Sequence, residues 1–290
     1  MDQSFRINTE TRLCAVIGNP VGHSLSPHMH NAAFRAAGLN YAYLAFQVED
    51  VAGFLAGMRA MPSFRGCSVT IPHKVSVMPH LNMIDPMAAF AGSVNTITRE
   101  DDGSLSGRST DGPGTLRAFE AAGVALAGKR VVFTGAGGAV RAVAFAFADQ
   151  GGVADVTILA RDASKASALA EDILAKTGVS TTAAPLEDGI TSALAGADVL
   201  VQGTPIGMTP NDEDSCVPVE ALHAGLTVFD MVYRPHETRL IRDAKAAGCP
   251  VIHGIEMLIA QAALQWEGWT GQDCPVDAMR QAAMLQLQGD

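Results

Sequence analysis

The chain has only five cysteines, Cys14, Cys67, Cys216, Cys249 and Cys274, and no two share a paired-ligand spacing. That argues against a disulfide framework and leaves reduced or buried thiols in a cytosolic protein as the expectation. No apolar run approaches the roughly 18 residues of a membrane span. The polar start, with Asp2, Arg6, Glu10 and Arg12, lacks the apolar stretch of a secretory signal. A cytoplasmic location is therefore expected. The net charge of −10 comes without a basic arm or an acidic tail, so nucleic acid and anionic membrane are poor partners. No dense Cys/His/Asp cluster asks for a metal either. His23, His28 and His30 lie close together, but a shaped loop and a helix start account for them, and no metal is expected. A homodimer is left open.

What is present is 290 residues of 48% hydrophobic content, enough for two domains of α/β type. The stretch K-R-V-V-F-T-G-A-G-G-A-V-R, residues 129–141, organises the second half. Its apolar run reads as a buried strand, Gly135, Gly137 and Gly138 as a tight turn, and the alanine-rich segment to Ala148 as a helix. Such a turn aims backbone N–H groups at an anionic phosphate. Val140 occupies the third glycine position of G-x-G-x-x-G, so the fingerprint is incomplete. Strands expected at 156–160, 199–202, 227–231 and 251–252, with helices between them such as 164–176, make a mostly parallel sheet covered by helices.

The first half reads as strand 12–18, helix 28–38, strand 41–48, helix 51–61 and a short strand that Pro72 interrupts. Residues 107–114 read as a hinge before helix 115–122, which Asp111 could cap. Closing helices are expected at 254–265 and 276–288, returning to the first domain and completing an interdomain cleft for substrate. The expected domains are 1–111 for substrate, 112–253 for nucleotide, and 254–290 as the helices completing the first.

Motifs across the whole chain sharpen this. G-N-P-V-G-H-S-L-S-P-H-M-H-N at 18–31 is followed by G-C-S-V-T-I-P-H-K at 66–74, G-S-V-N-T at 92–96 and S-T-D-G-P-G at 109–114. Then come G-A-G-G-A-V-R at 135–141, T-P-I-G-M at 204–208, D-M-V-Y-R-P at 230–235 and G-I-E-M-L-I-A-Q at 254–261. In this order they resemble the shikimate dehydrogenase family. The resemblance implies an N-terminal α/β substrate domain, a Rossmann-like nucleotide domain, and hydride exchange between 3-dehydroshikimate and shikimate with a nicotinamide cofactor. Quinate and 3-dehydroquinate are the neighbouring substrate pair, so the partner is a small cyclic hydroxy acid.

The same resemblance makes Lys74 and Asp111 the catalytic pair, both touching substrate. Ser24 and Ser26 would bind the substrate carboxylate, and Thr70, Asn95 and Gln261 would orient the ring hydroxyls. Tyr233 would stand near the pocket. Gly135, Ala136, Gly137, Gly138 and Ala139 would hold the cofactor phosphates. Thr204, Met208, Gly254 and Met257 would lie on the cofactor side. Each has a plainer reading beside it: Lys74 as a surface lysine, Thr70 as a local cap, Tyr233, Met208 and Met257 as packing.

For cofactor choice, the resemblance associates an N-R-T pattern with NADP, and Arg161 is available for a 2′-phosphate. Ala160 and Asp162 depart from that pattern. Asp162 could instead pair with ribose hydroxyls and favour NAD, or cap the helix near Ser164. NADP is favoured over NAD, with dual use as the alternative. Ser68, Ser109 and Gln202 stand where the family more often has asparagine, which leaves a specialised quinate-preferring relative open. A non-catalytic nucleotide sensor and a plain interaction protein are the readings of a different class.

Overall fold

The computed structural model describes residues 7–289; Asp2 and Arg6 of the polar start lie outside the described residues. The chain divides into two compact units, one formed by residues up to Thr110 together with those from Ile259 onward, the other by Asp111–Leu258.

The first unit opens with β1 (Arg12–Gly18), α1 (Ser26–Ala36), β2 (Tyr41–Gln47), α2 (Val51–Ala60) and β3 (Phe64–Val69). It continues with β4 (Met83–Ile84), α3 (Pro86–Ala91), β5 (Thr96–Arg99) and β6 (Leu105–Arg108). The sheet order is β2-β1-β3-β5-β6-β4. β1 pairs in parallel with β2 and β3, whereas β5 runs antiparallel to both β3 and β6. Asp50 and Asp85 start α2 and α3 by accepting the N–H groups of Gly53 and Ala88 at 2.9 and 2.7 Å, satisfying donors that a helix start leaves open. Ile17, Leu55, Phe64, Val69 and Ile97 are among the residues of its apolar core.

The second unit begins with α4 (Asp111–Ala121), then alternates β7 (Arg130–Thr134), α5 (Gly138–Asp149), β8 (Asp155–Ala160), α6 (Ala163–Thr177), β9 (Ser180–Pro185) and α7 (Leu186–Leu194). β10 (Val199–Gln202), β11 (Thr227–Asp230), α8 (Arg239–Ala246) and β12 (Val251–His253) complete its sheet. The order is β12-β11-β10-β7-β8-β9, with every pair parallel. Counted from β7, this is the 3-2-1-4-5-6 order of a doubly wound dinucleotide fold, whose crevice opens at the carboxyl ends of the strands beside the first. Val132, Leu159, Leu200 and Val228 are buried in its core, as a sheet covered on both faces requires. Two helices close the chain, α9 (Gly254–Thr270) and α10 (Val276–Gly289). From Ile259 onward they share the first unit with the N-terminal sheet.

Several boundaries are corrected. Gly107 and Arg108 end β6, and α4 starts at Asp111 rather than 115. Pro113 does not prevent this, because first-turn N–H groups need no intrahelical acceptor. Thr115 Oγ1 donates to the Asp111 carbonyl at 2.8 Å inside that turn. α1 starts at Ser26 rather than His28, and α9 extends to Thr270 rather than 265. The second compact unit takes in Asp111 and residues 254–258.

Candidate active site

In the first unit, the loops after β1 and β3 leave from carboxyl ends of adjacent parallel strands and meet there. Asn19 N–H donates to the Ile71 carbonyl at 3.0 Å, and Thr70 N–H to the Ile17 carbonyl at 2.9 Å. Ser24 lies in the first loop, half-buried, and its Oγ accepts the N–H of Ser26 at 3.3 Å. Ser26 is buried at the start of α1. Lys74 lies beyond β3 and is half-buried, so it is not a fully solvated surface lysine. Its carbonyl accepts Val94 N–H at 2.8 Å, and the Asn95 carbonyl accepts Val69 N–H at 2.8 Å. Thr70, Lys74 and Asn95 are thus tied to one corner of the sheet.

Asn95 is buried there. Its Nδ2 donates to Thr110 Oγ1 at 3.0 Å and to Gln261 Oε1 at 3.4 Å. Its Oδ1 accepts Thr110 N–H and Thr96 Oγ1–H, both at 2.8 Å. Sequence reasoning found Asn95 and Gln261 but missed Thr110, which joins them, and Gln265, one helical turn beyond Gln261. Gln265 Nε2 donates to Thr96 Oγ1 at 3.0 Å and to the Asn95 carbonyl at 3.3 Å. Gln261, Gln265 and Trp269 recur at four-residue spacing, which puts them on one stripe of α9. That spacing was the available signal.

The departure at Ser68 has a structural account. Tyr43 Oη donates to Ser68 Oγ and Ser68 Oγ donates to Gln265 Oε1, each at 2.6 Å. Ser109 is also buried, but its Oγ has no hydrogen-bond partner among the described residues. His30 is fully buried, stacked on the Tyr43 ring at 4.3 Å. Burial lowers its pKa to about 3, against the opposing influence of nearby Gln265. His30 is a neutral core residue.

In the second unit, Gly135 follows β7 with φ +94°, a conformation that side-chain-bearing residues rarely adopt. α5 begins at Gly138 with Gly137 as its N-cap, and no side chain caps it. Its first N–H groups are therefore open to an anionic ligand, and Ala136 and Ala139 flank them without bulk. The chemistry of this donor set fits a nucleotide pyrophosphate. Val140 at the third glycine position is buried against β10: a Cβ on Gly203 would collide with its Cγ2. Close helix–sheet packing is kept, with the glycine on the strand side.

Arg161 and Asp162 follow β8, both exposed. Asp162 caps α6, accepting Ser164 N–H at 3.1 Å and Lys165 N–H at 3.3 Å, with Ser164 Oγ–H at 2.5 Å. The Ser164 hydroxyl, more than any other neighbour, holds its carboxyl below the usual range. Gln202 replaces asparagine to clear effect. Its Oε1 accepts Thr204 N–H at 2.5 Å and Thr134 Oγ1–H at 3.2 Å. Its Nε2 donates to the Thr204 and Ile206 carbonyls at 3.1 and 3.2 Å and to Asp230 Oδ1 at 3.2 Å. Thr134, Gln202 and Asp230 are register neighbours at the carboxyl ends of β7, β10 and β11.

Asp230 also accepts Thr238 Oγ1–H at 2.6 Å and Val232 N–H at 3.0 Å, which folds the loop carrying Tyr233. Burial pushes its carboxyl up to about 6 despite these bonds, and burial likewise raises the Tyr233 phenol. Met208 is 47% exposed and so does not serve as core packing in this unit, whereas Met257 is buried and Gly254 packs tightly on the Asp230 and Met231 carbonyls. The fold brings His253 to the adjacent pair His236 and Glu237.

Among the described residues no helix is long and apolar enough to cross a membrane, and the five cysteines are free. The doubly wound sheet with its open glycine turn, carried on a chain whose other sheet gathers a lysine and buried amides, defines an NAD(P)-dependent oxidoreductase. Comparison with known proteins agrees. Family models match residues 16–97 as a shikimate dehydrogenase substrate binding domain, 117–209 as shikimate / quinate 5-dehydrogenase and 254–284 as a shikimate 5′-dehydrogenase C-terminal domain. Shikimate dehydrogenase (NADP(+)) of Moorella thermoacetica is 44% identical over 95% of this chain and 93% of its own.

Two solved structures extend the comparison. Shikimate 5-dehydrogenase from Listeria monocytogenes in complex with shikimate and NAD superposes with TM-score 0.90 at 35% identity, covering 95% of this chain and 97% of that one. Quinate dehydrogenase from Corynebacterium glutamicum in complex with NAD gives 0.89 at 31% identity, covering 95% and 99%. The chain belongs to the shikimate dehydrogenase family. The sensor and interaction-protein readings give way to an enzyme.

Proposed function

We propose that this enzyme reversibly reduces 3-dehydroshikimate to shikimate with NADP. The buried Asn95–Thr110–Gln261 cluster, tied through backbone bonds to the Lys74 loop, carries the substrate half of this reading. Amide and hydroxyl groups can donate and accept together, which suits a ring bearing several hydroxyls. Thr70, Asn95 and Gln261 orient that ring, Ser24 and Ser26 bind its carboxylate, and Tyr233 borders it.

When bound, a nicotinamide cofactor would supply or accept the hydride at the substrate's ring carbon. In the reducing direction Lys74 delivers the proton to the developing alkoxide oxygen, and in the reverse direction it takes that proton back. Asp111 is the second member of the catalytic pair and helps to position the substrate. Gly135 to Ala139 hold the phosphates; Thr204, Met208, Gly254 and Met257 serve the nicotinamide side.

The NADP preference rests on Asp162. Its carboxylate is engaged by the α6 cap and by Lys165 at 3.7 Å, while Arg161 stays exposed for a 2′-phosphate. An NAD-dependent or dual-cofactor quinate/shikimate dehydrogenase is the second reading, supported by the likeness to the NAD-bound quinate enzyme. The test is initial-rate turnover with shikimate and quinate, each with NAD and NADP. Shikimate with NADP should give the highest kcat/KM, and Arg161→Ala should weaken NADP more than NAD. Turnover with none of the four pairs sinks the activity; equal losses for both cofactors sink the role of Arg161.

A further inference from the structure

One cluster of metal-ligating side chains lies outside all the groups used above. His236 and Glu237 sit in the loop between β11 and α8, and His253 ends β12. The imidazoles stack, centroids 4.3 Å apart and planes 14° from parallel. His253 Nδ1 lies 3.1 Å from the His236 carbonyl. A carbonyl can only accept, so Nδ1 carries a proton, and it is Nε2 that carries the lone pair in the neutral ring. Nε2 lies 3.6 Å from Glu237 Oε1. A histidine whose second ring nitrogen is fixed by a backbone carbonyl is the arrangement metal ligands commonly use. His236 Nδ1 is buried without a hydrogen-bond partner among the described residues.

We propose that His236, Glu237 and His253 form a binding site for a divalent transition metal of the Zn2+ class. One ligand atom from each lies within 4.8 Å of the others. Donors around a single tetrahedral ion at bond lengths of about 2.0–2.2 Å stand about 3.4 Å apart. Loading therefore draws the three inward by side-chain rotation. Two imidazoles and one carboxylate leave a tetrahedral position for water or an added ligand. Lys245 competes, its Nζ 2.7 Å from Glu237 Oε1, so the site exchanges an ammonium partner for a metal. The bound ion would staple the β11–α8 loop to the end of β12.

The test uses the full chain with ZnCl2 in equilibrium dialysis and with Co2+ as a spectroscopic probe. One ion per chain is expected, with d–d absorption of tetrahedral intensity and no thiolate charge-transfer band. His253→Gln should weaken binding at least tenfold, Lys245→Met should tighten it, and Zn2+ should raise the melting temperature of the wild type but not of the His236→Gln/His253→Gln variant. If that variant does not fold, the exposed Lys245→Met change alone decides through its affinity. Absence of saturable binding, unchanged binding in the His253→Gln and Lys245→Met variants, or a thiolate band that assigns the ion to cysteine would each overturn the site.

Discussion

The two sheets place their polar groups differently. In the first unit a hydrogen-bonded path runs through the interior, from Tyr43 through Ser68 and Gln265 to Thr96, with Asn95, Thr110 and Gln261 beside it. In the second, the central strands β7 and β10 carry an apolar run that ends in Thr134 and Gln202, with Asp230 beside them at the carboxyl end of β11. The central strands of a parallel sheet covered on both faces leave little room for polar side chains except at their ends. The mixed sheet is packed by a helix that brings its own amides. So the second unit confines its chemistry to loops, whereas in the first the binding groups are also part of the core.

That contrast can be broken most severely at Lys74, a loop residue whose removal should spare both cores. Lys74→Ala is expected to lower kcat about 10^2- to 10^4-fold with the urea midpoint unchanged; kcat within threefold of wild type removes its catalytic role. Gln265→Leu should do the opposite kind of damage. It strips buried Ser68 and Thr96 of a partner, a loss of about 3 kcal/mol at the upper end for such groups, read by urea denaturation. A loss under about 0.5 kcal/mol would mean that the polar path adds nothing to the fold.

In the second unit, Gly203→Ala should cost about 2 kcal/mol by overpacking against Val140, and Val140→Ala in the same chain should recover most of it. Failure of the second change to rescue the first breaks the account of the missing glycine. The smallest effect is on pH dependence, where the two units oppose each other. The unfolded chain protonates His30 near 6.5, but the native state resists until about 3. This contribution is complete above pH 6.5 and drains as pH falls toward 3. Asp230 keeps its proton up to about 6 when folded but loses it near 3.8 when unfolded. Its contribution is complete below 3.8 and is lost as pH rises through 6. His30→Phe should therefore lessen the fall in stability on acidification, by at most about 1.4 kcal/mol per pH unit, and Asp230→Asn should lessen the loss on raising pH from 4 to 6. Unchanged pH profiles in both variants would discard this opposition.

Much of the second unit was legible because apolar runs such as Val131–Thr134 and Val199–Gln202 alternate with helical segments, and buried parallel strands leave that signature. β9 and α7 were not, since the strand S-T-T-A-A-P is short, polar and only partly buried. The start of α4 was obscured by Gly112, Pro113 and Gly114, which read as a break yet sit in a first turn that tolerates them. Site residues within motifs could be named from the chain. Thr110 and Gln265 were passed over, although Thr110 lies in the 109–114 motif and Gln265 one turn beyond Gln261, because only the fold shows what they bond. The His236–His253 pairing fails to show for the same reason: it exists only because β11 and β12 are neighbours.

Gln202 has a consequence for dynamics. A loop amide ordinarily exchanges its hydrogen with water on the loop's own timescale, but Thr204 N–H is held by a side chain rooted in the middle of a parallel sheet. Its exchange must wait for Gln202 to let go, and Gln202 is also bonded to the strands on both sides. Deuterium uptake at the Thr204 amide is thereby expected to be slower than at loop amides left to water, and would report the release of the Gln202 side chain.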